Sequence, residues 1–521
     1  MSPPAAPTNA DSLLPGALLD PAAYPEPPPS VELIETHISW IYLAGDRAYK
    51  VKKPVRLAFL DFSSLAARRH FLEEELRLNA VLAPGVCRAV VPIVRDGARL
   101  GIGGPGVPFE YALEMRRLPA HRMLDRLLEQ GVVDNAMMNA LADTLCRFHA
   151  QAAVMPAEQG APEQVASAVT RNLHDLAAGR TDLAPLIAPL ERYATQFVRT
   201  HHDLFLQRAL QGRVRDGHGD LHAGNICFED GAIVIYDRIE FEPRFRQMDV
   251  AADLAFLAMD LDHRGCHAFS DFLVHQYVQR SGDATLPLVL PFYKAHRAAI
   301  RAKVAALRFD QQASAAELAS LRAHLNLALS YTLAGKPLVV MMCGLPGSGK
   351  TVVARALQAT LRAQLVRTDV VRRSLEAEPS YGELAVTRAY DALLAAARGM
   401  LDRGLAVILD ATFDRRVLRE RARAMAAAVG APCVTVLVEC AEPIIKERLE
   451  RRAREGGDAS EAGWSVYLRK KSSFEEPRPD LESSIRHQSG LPIEPLVTSV
   501  LARIIEILAY QERGMPPLPR W

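Results

Sequence analysis

Apolar and polar positions change their period twice along the chain. Residues 1–30 show no period: Pro and Ala dominate and charge is scarce, which predicts a disordered tail that cannot bury enough surface to offset its ordering. From Val31 the pattern turns short and strand-like. Residues 36–43, a turn at Ala44-Gly45-Asp46-Arg47 and residues 48–52 predict a hairpin whose second strand puts Lys50 and Lys52 on one face. A helical stretch over 65–82 follows, with Phe62-Ser63-Ser64 as its cap and Glu73-Glu74-Glu75 within it. Strand-like runs at 89–94 and 109–115 flank a Gly/Pro-rich excursion at 101–108. Beyond Arg117 the periodicity is mainly helical, through 141–151, 183–210 and 250–261, to about Ala334.

At Gly335-Lys336-Pro337 the pattern changes again, to apolar strands alternating with helices, which predicts a parallel sheet. A chain of 521 residues exceeds one ordinary core. The expected organisation is multidomain, α+β followed by α/β: a tail over 1–30, a first domain over 31–335 with a β-rich lobe to about 115, and a second domain over 336–515.

The second domain opens on a motif. The apolar run 338–342 breaks into Gly344-Leu345-Pro346-Gly347-Ser348-Gly349-Lys350-Thr351, and a helical run follows. Strand, glycine loop and helix N-terminus together make a phosphate cradle of the P-loop (Walker A) kind. In such a loop Lys350 reaches the terminal phosphates of ATP and Thr351 holds Mg²⁺.

Charge narrows the partners. Lys plus Arg number 62 against 61 Asp plus Glu, so no global field gathers nucleic acid or acidic lipid. The seven cysteines lack the C-x-x-C spacing of a zinc or redox site, and reduced thiols are the plain reading. No signal-like N-terminus or membrane-length apolar run is present, which points to a cytoplasmic protein without a membrane role.

Within the helical region stands His218-Gly219-Asp220-Leu221-His222-Ala223-Gly224-Asn225, followed by a strand that ends at Asp237. This spacing can supply a carboxylate, Asp220, to take or orient an acceptor's proton. Asn225 and Asp237 are then oxygen ligands for Mg²⁺ on the nucleotide phosphates. Residues 31–330 resemble the aminoglycoside phosphotransferase and choline kinase group, distant relatives of the protein kinases. The resemblance implies a bilobal kinase-like domain in which Asp220 is the catalytic base and Asn225 and Asp237 bind the metal. It also implies a lysine, Lys50 or Lys52, on the phosphates; Lys50 is preferred, paired with an acid from Glu73 to Glu75 and with Glu74 taken as that acid. Glu110 to Met115 would form the adenine hinge and Asp253 the brace of the catalytic loop. Whether Glu240 shares the metal is left open.

After the P-loop, an apolar strand leads to Asp369, with Arg372 one helical turn on. Asp369 could activate a substrate hydroxyl and Arg372 could hold a polar or anionic substrate group. The strand 405–410 also ends in an acid, Asp410, a candidate for the Mg²⁺ shell. A later helix carries Lys446, Arg448, Arg451, Arg452 and Arg454, arginines suited to a transferring phosphoryl group. Residues 336–510 resemble the P-loop small kinases: zeta toxin, chloramphenicol phosphotransferase, gluconate kinase and the kinase domain of polynucleotide kinases. By that resemblance Asp369 and Arg372 match the acid and arginine after the second strand, and Arg448 with Arg452 or Arg451 forms the lid.

The expected function is a bifunctional ATP- and Mg²⁺-dependent phosphotransferase acting on hydroxyls of small molecules. The alternatives are a nucleotide-binding regulatory protein with one inactive half, and a polynucleotide 5′-kinase. Neutral charge and the lack of aromatic platforms among basic residues argue against the last.

Overall fold

The computed structural model describes residues 14–57, 60–97, 99–229, 231–375, 383–455, 463–478 and 482–512. The chain forms two compact units, one of residues up to Ala166 with Val198–Tyr293, the other of Ser167–Phe197 with the chain from Lys294 onward.

The first unit begins with an antiparallel sheet of β1 (Val31–Glu35), β2 (Ser39–Ala44), β3 (Arg47–Lys52), β4 (Cys87–Asp96), β5 (Arg99–Ile102) and β6 (Pro108–Arg116). Their order in the sheet is β1-β2-β3-β6-β4-β5. Alternation along β3 sends Tyr49 and Val51 into a core with Trp40 and Tyr42, and Lys50 and Lys52 to the opposite face. Helix α1 (Leu65–Asn79) packs there, started by Ser64, whose hydroxyl accepts from the Ala67 amide at 3.1 Å. Leu72 and Leu76 of α1 pack on Cys87, Val90 and Leu113.

The expected disordered tail requires correction from residue 14 onward. Leu14, Leu18, Ala23 and Tyr24 join the core formed by Trp40, Tyr42 and Val51. The Tyr24 hydroxyl donates to the Leu18 carbonyl at 2.7 Å, and the Tyr42 hydroxyl to that of Leu14 at 3.2 Å. A few apolar residues at helical spacing were enough to anchor a Pro/Ala-rich segment. Residues 1–13 lie outside the described residues.

The rest of this unit is mainly helical and includes α2 (Asn135–Gln151). It also holds the hairpin β7 (Ile226–Glu229) and β8 (Ala232–Ile235), and α3 (Val250–His263), nearly all of which is buried.

The second unit carries a parallel sheet of β9 (Leu338–Cys343), β10 (Gln364–Arg367), β11 (Ala406–Asp410), β12 (Cys433–Glu439) and β13 (Ser484–Gln488). The order β10-β11-β9-β12-β13 puts the first strand in the middle, so the connections leave it on both sides. Ligands bind at such a switch point, beyond the carboxyl ends of the strands. Helices α4 (Glu383–Leu401) and α5 (Arg416–Ala427) cover the sheet through Leu393, Ala397, Leu418 and Ala422 on Val339, Met341, Val407 and Leu409. Among the described residues no helix is long and apolar enough to cross a membrane.

Candidate active sites

The P-loop leaves the fully buried strand β9 at Gly344, whose φ of 139° and amide bond to the Thr412 carbonyl at 3.1 Å define the turn. A Cβ there would lie 2.5 Å from the Val438 carbonyl oxygen, so only glycine fits. Gly349, at φ 101°, precedes helix α6 (Lys350–Leu361), whose N-terminal amides open onto the loop. The Ser348 hydroxyl is buried without a hydrogen-bond partner among the described residues.

Lys350 donates to the Leu345 carbonyl at 2.8 Å. Burial lowers its pKa and Asp410 offsets this only in part. A buried cation held only by a carbonyl gains when an anion arrives. The Thr351 hydroxyl donates to Asp410 Oδ2 at 2.8 Å, and Arg367 Nε reaches the same oxygen at 3.2 Å. These hard oxygens, side by side, suit Mg²⁺, which completes its shell with phosphate and water. Asp369 and Arg372, on helix α7 (Thr368–Leu375), approach to 3.4 Å.

Lys350, Thr351, Asp369, Arg372, Asp410 and Arg452 line one cleft of about 160 Å³. Of the alternative lid arginines, Arg452 is in that lining and Arg451 is exposed. Arg448 instead braces the loop, donating to Ser489 Oγ at 3.0 Å and lying 3.5 Å from the Gly347 carbonyl. Pro346, Gly347 and Gly349 also line the cleft, whereas Leu345 packs on Ile445 and Leu449. Sequence reading missed Arg367, Tyr390, Thr412 and Lys470, which share the lining.

In the first unit, Lys50 Nζ donates to Glu75 Oε1 at 2.6 Å and to Asp237 Oδ1 at 2.7 Å. Lys52, fully buried, donates to Glu75 Oε2 at 2.6 Å and also bonds Glu240. The choice of Glu74 is therefore corrected: Glu74 turns outward to Arg77 at 2.7 Å, and Glu75 lies on the buried face of α1 with Leu72 and Asn79. Both lysines, rather than one, meet this acid. Burial alone would raise the Glu75 carboxyl, but Lys50 and Lys52 hold it at about 2. Glu240 is raised by burial, against the pull of Lys52.

Asp237 sits at φ 67°, a left-handed conformation uncommon for a non-glycine residue, at the end of the β7–β8 hairpin. The other end is Asn225, whose amide nitrogen donates to the Asp220 carbonyl at 3.0 Å and whose own carbonyl accepts from the Tyr236 amide at 3.1 Å. An amide and a carboxylate at the two ends of one hairpin fit a hard cation.

The loop before them is held by Asp253, whose carboxylate accepts from the amides of His218 at 2.6 Å and Gly219 at 2.8 Å and meets His149 at 3.2 Å. Burial opposes its charge, yet the His149 and His218 contacts hold its pKa well below the ordinary value. His218 is lowered by burial and so stays neutral. Its Nε2 donates to the Tyr236 carbonyl at 2.9 Å, leaving Nδ1 to accept from the Asp220 amide at 3.2 Å. Asp220 itself is part-exposed, with His222 Nε2 at 3.5 Å.

Comparison with known proteins fits the geometry of the second unit. The family described as an AAA domain matches residues 339–477, and with the glycine loop this defines a P-loop nucleotide-binding domain. The uncharacterized protein Rv2004c of Mycobacterium tuberculosis is 32% identical over 448 residues, which cover 83% of this chain and 88% of the relative. Protein Mb2027c of Mycobacterium bovis matches to the same extent. The chain belongs to one family with these mycobacterial proteins. Solved structures that align with it include a sugar kinase from Janibacter, 18% identical with a TM-score of 0.27 over 32% of this chain and 94% of that one. A gluconokinase from Sinorhizobium meliloti is 20% identical, with a TM-score of 0.26 over 34% of this chain and 97% of that one. The APS kinase CysC of Mycobacterium tuberculosis is 20% identical, with a TM-score of 0.27 over 32% and 96%.

Proposed function

We propose that the chain is a phosphotransferase that moves the γ-phosphoryl of ATP to hydroxyls of small molecules at two sites. The observation that carries this reading is the cleft in which Asp369 and Arg372 share walls with Lys350, Thr351, Asp410 and Arg452. A nucleotide cradle alone needs no second carboxylate beside an arginine; a phosphoryl acceptor does. Asp369 takes the acceptor's proton as its oxygen forms the new bond to phosphorus. The bond to the β-phosphate oxygen breaks and ADP leaves. Lys350 and Arg452 stabilise the charge that spreads over the transferring group, and Arg372 orients the acceptor. Mg²⁺, held by Thr351 and Asp410, would neutralise phosphate charge.

The first unit supports a second transfer centre of the aminoglycoside phosphotransferase kind. Asp220 would be its base, Lys50 its phosphate lysine with Glu75 as partner, and Asn225 and Asp237 its metal ligands. The support is the chain of contacts from Glu75 through Lys50 to Asp237.

A metabolite extract incubated with labelled ATP tests both sites. Asp369→Ala and Asp220→Ala are each expected to remove a different labelled product while nucleotide binding persists. Unchanged products from either variant would remove that site from the reading.

A further inference from the structure

Lys470, on helix α8 (Trp464–Ser472), reaches the P-loop cleft from a part of the chain that no motif marks. Its Nζ donates to Asp414 Oδ2 at 2.7 Å, and among the described residues this is its only hydrogen bond. An ammonium carries three donors, so two remain for a ligand.

Asp414 is 1% exposed, does not line the cleft, and has an Oδ1 with no hydrogen-bond partner among the described residues. The other acidic partners differ: Asp369 and Asp410, which meet Arg372 and Arg367, lie inside the lining. Lys470 is thus a cation in the cleft whose counter-charge comes from outside it.

The segment that presents Asp414 is held by hydrogen bonds on both sides. Phe413 is held at φ 44°, its amide donates to the Tyr390 hydroxyl at 3.0 Å, and its carbonyl accepts from Arg419 at 2.9 Å. The Asp414 carbonyl accepts from the Glu475 amide at 2.8 Å. Backbone strain kept by so many bonds marks a position whose geometry matters.

We propose that Lys470 is an acceptor-binding residue, and that the P-loop site selects an acceptor carrying an anionic group, carboxylate or phosphate, besides its hydroxyl. This rests on the phosphotransferase reading of that site. The nucleotide phosphates are met by the loop amides, Lys350 and Arg452. Lys470 shares the cleft with Asp369, where the acceptor hydroxyl is activated, and a lysine addresses an anion there as a point charge.

The test uses the full chain saturated with Mg²⁺ and the non-hydrolysable AMPPNP, titrated calorimetrically with ribose, ribonate and ribose 5-phosphate. Wild type is expected to bind at least one of the two acids about tenfold tighter than ribose, the effect of one charge-assisted hydrogen bond. The arm that gains tells carboxylate from phosphate. Lys470→Gln should erase the preference and Lys470→Arg should keep it, with AMPPNP affinity unchanged in both. Since Lys470→Gln leaves Asp414 buried without its partner, the double variant Asp414→Asn with Lys470→Gln supplies a charge-balanced control that should also lack the preference. Equal affinity across the series, or a preference that survives both Gln variants, overturns the proposal. Labelled-ATP transfer to the same three compounds, measured on the same proteins without AMPPNP, separates the two readings. An acid preference lost with Lys470 but no transfer in any sample removes the phosphotransferase reading alone; transfer without acid preference removes this proposal alone.

Discussion

The two candidate sites solve the same electrostatic problem in opposite ways. In the second unit the P-loop lysine, Lys350, bonds a backbone carbonyl and burial lowers its pKa. In the first unit burial also works against Lys50, yet Asp237, Glu75 and Glu240 raise its pKa well above the ordinary value. One site meets its lysine's charge only in part, through Asp410; the other surrounds it with carboxylates. The difference lies in what the carboxylate already holds: Asp237 gives Oδ1 to Lys50, and Oδ2 is the oxygen it has for a cation.

The largest expected effect comes from the two acids proposed as bases, Asp369 and Asp220. Asp369→Asn should lower P-loop transfer by about 10² to 10⁴-fold with nucleotide affinity retained, and Asp220→Asn should do the same at the other site. Single-turnover rates with labelled ATP check this, and equal losses at both sites from either change would merge the two centres into one.

Next is the charge cluster of the first unit. Glu75→Gln strips two buried lysines of a shared partner and should cost roughly 3–5 kcal/mol in denaturant unfolding of that unit, whereas Glu74→Gln should stay within about 0.5 kcal/mol. The sign of its pH dependence follows from a folded pKa of about 2 against the ordinary 4.5. A depressed carboxyl stabilises fully above 4.5 and loses that contribution as pH falls toward 2, so the gap between Glu75→Gln and wild type should narrow over that window.

Smaller is Leu18→Ala, about 2–4 kcal/mol by loss of a fully buried side chain, read in the same unfolding experiment. A change under about 0.5 kcal/mol would restore the view of this segment as a tail. Smallest is the response to chelation. EDTA should weaken AMPPNP binding severalfold at both units, because at each a carboxylate, Asp237 or Asp410, would otherwise face the phosphates without a neutralising cation.

How much of this was legible in the sequence depended on how local each signal was. GLPGSGKT and HGDLHAGN carry loop geometry and chemistry in contiguous residues, so the cradle and the Asp220 loop could be placed directly. The three glutamates at 73–75 could not be separated by motif; helix phase decides, because Glu75 alone shares the face of Leu72 and Asn79. The period-two pattern placed Lys50 and Lys52 together but could not show that one acid meets both. Lys470 and Asp414 are 56 positions apart and meet only through the fold. The early apolar residues Leu14 and Leu18 were masked by the Pro and Ala around them.

The central claim is two independently built nucleotide sites, and the number of AMPPNP molecules bound per chain tests it most directly. Calorimetric titration of the full chain with Mg²⁺ present should give two for wild type, one for Lys350→Met, one for Lys50→Met and none for the double variant. A wild-type stoichiometry of one, lost entirely in Lys350→Met and unaffected by Lys50→Met, would contradict it.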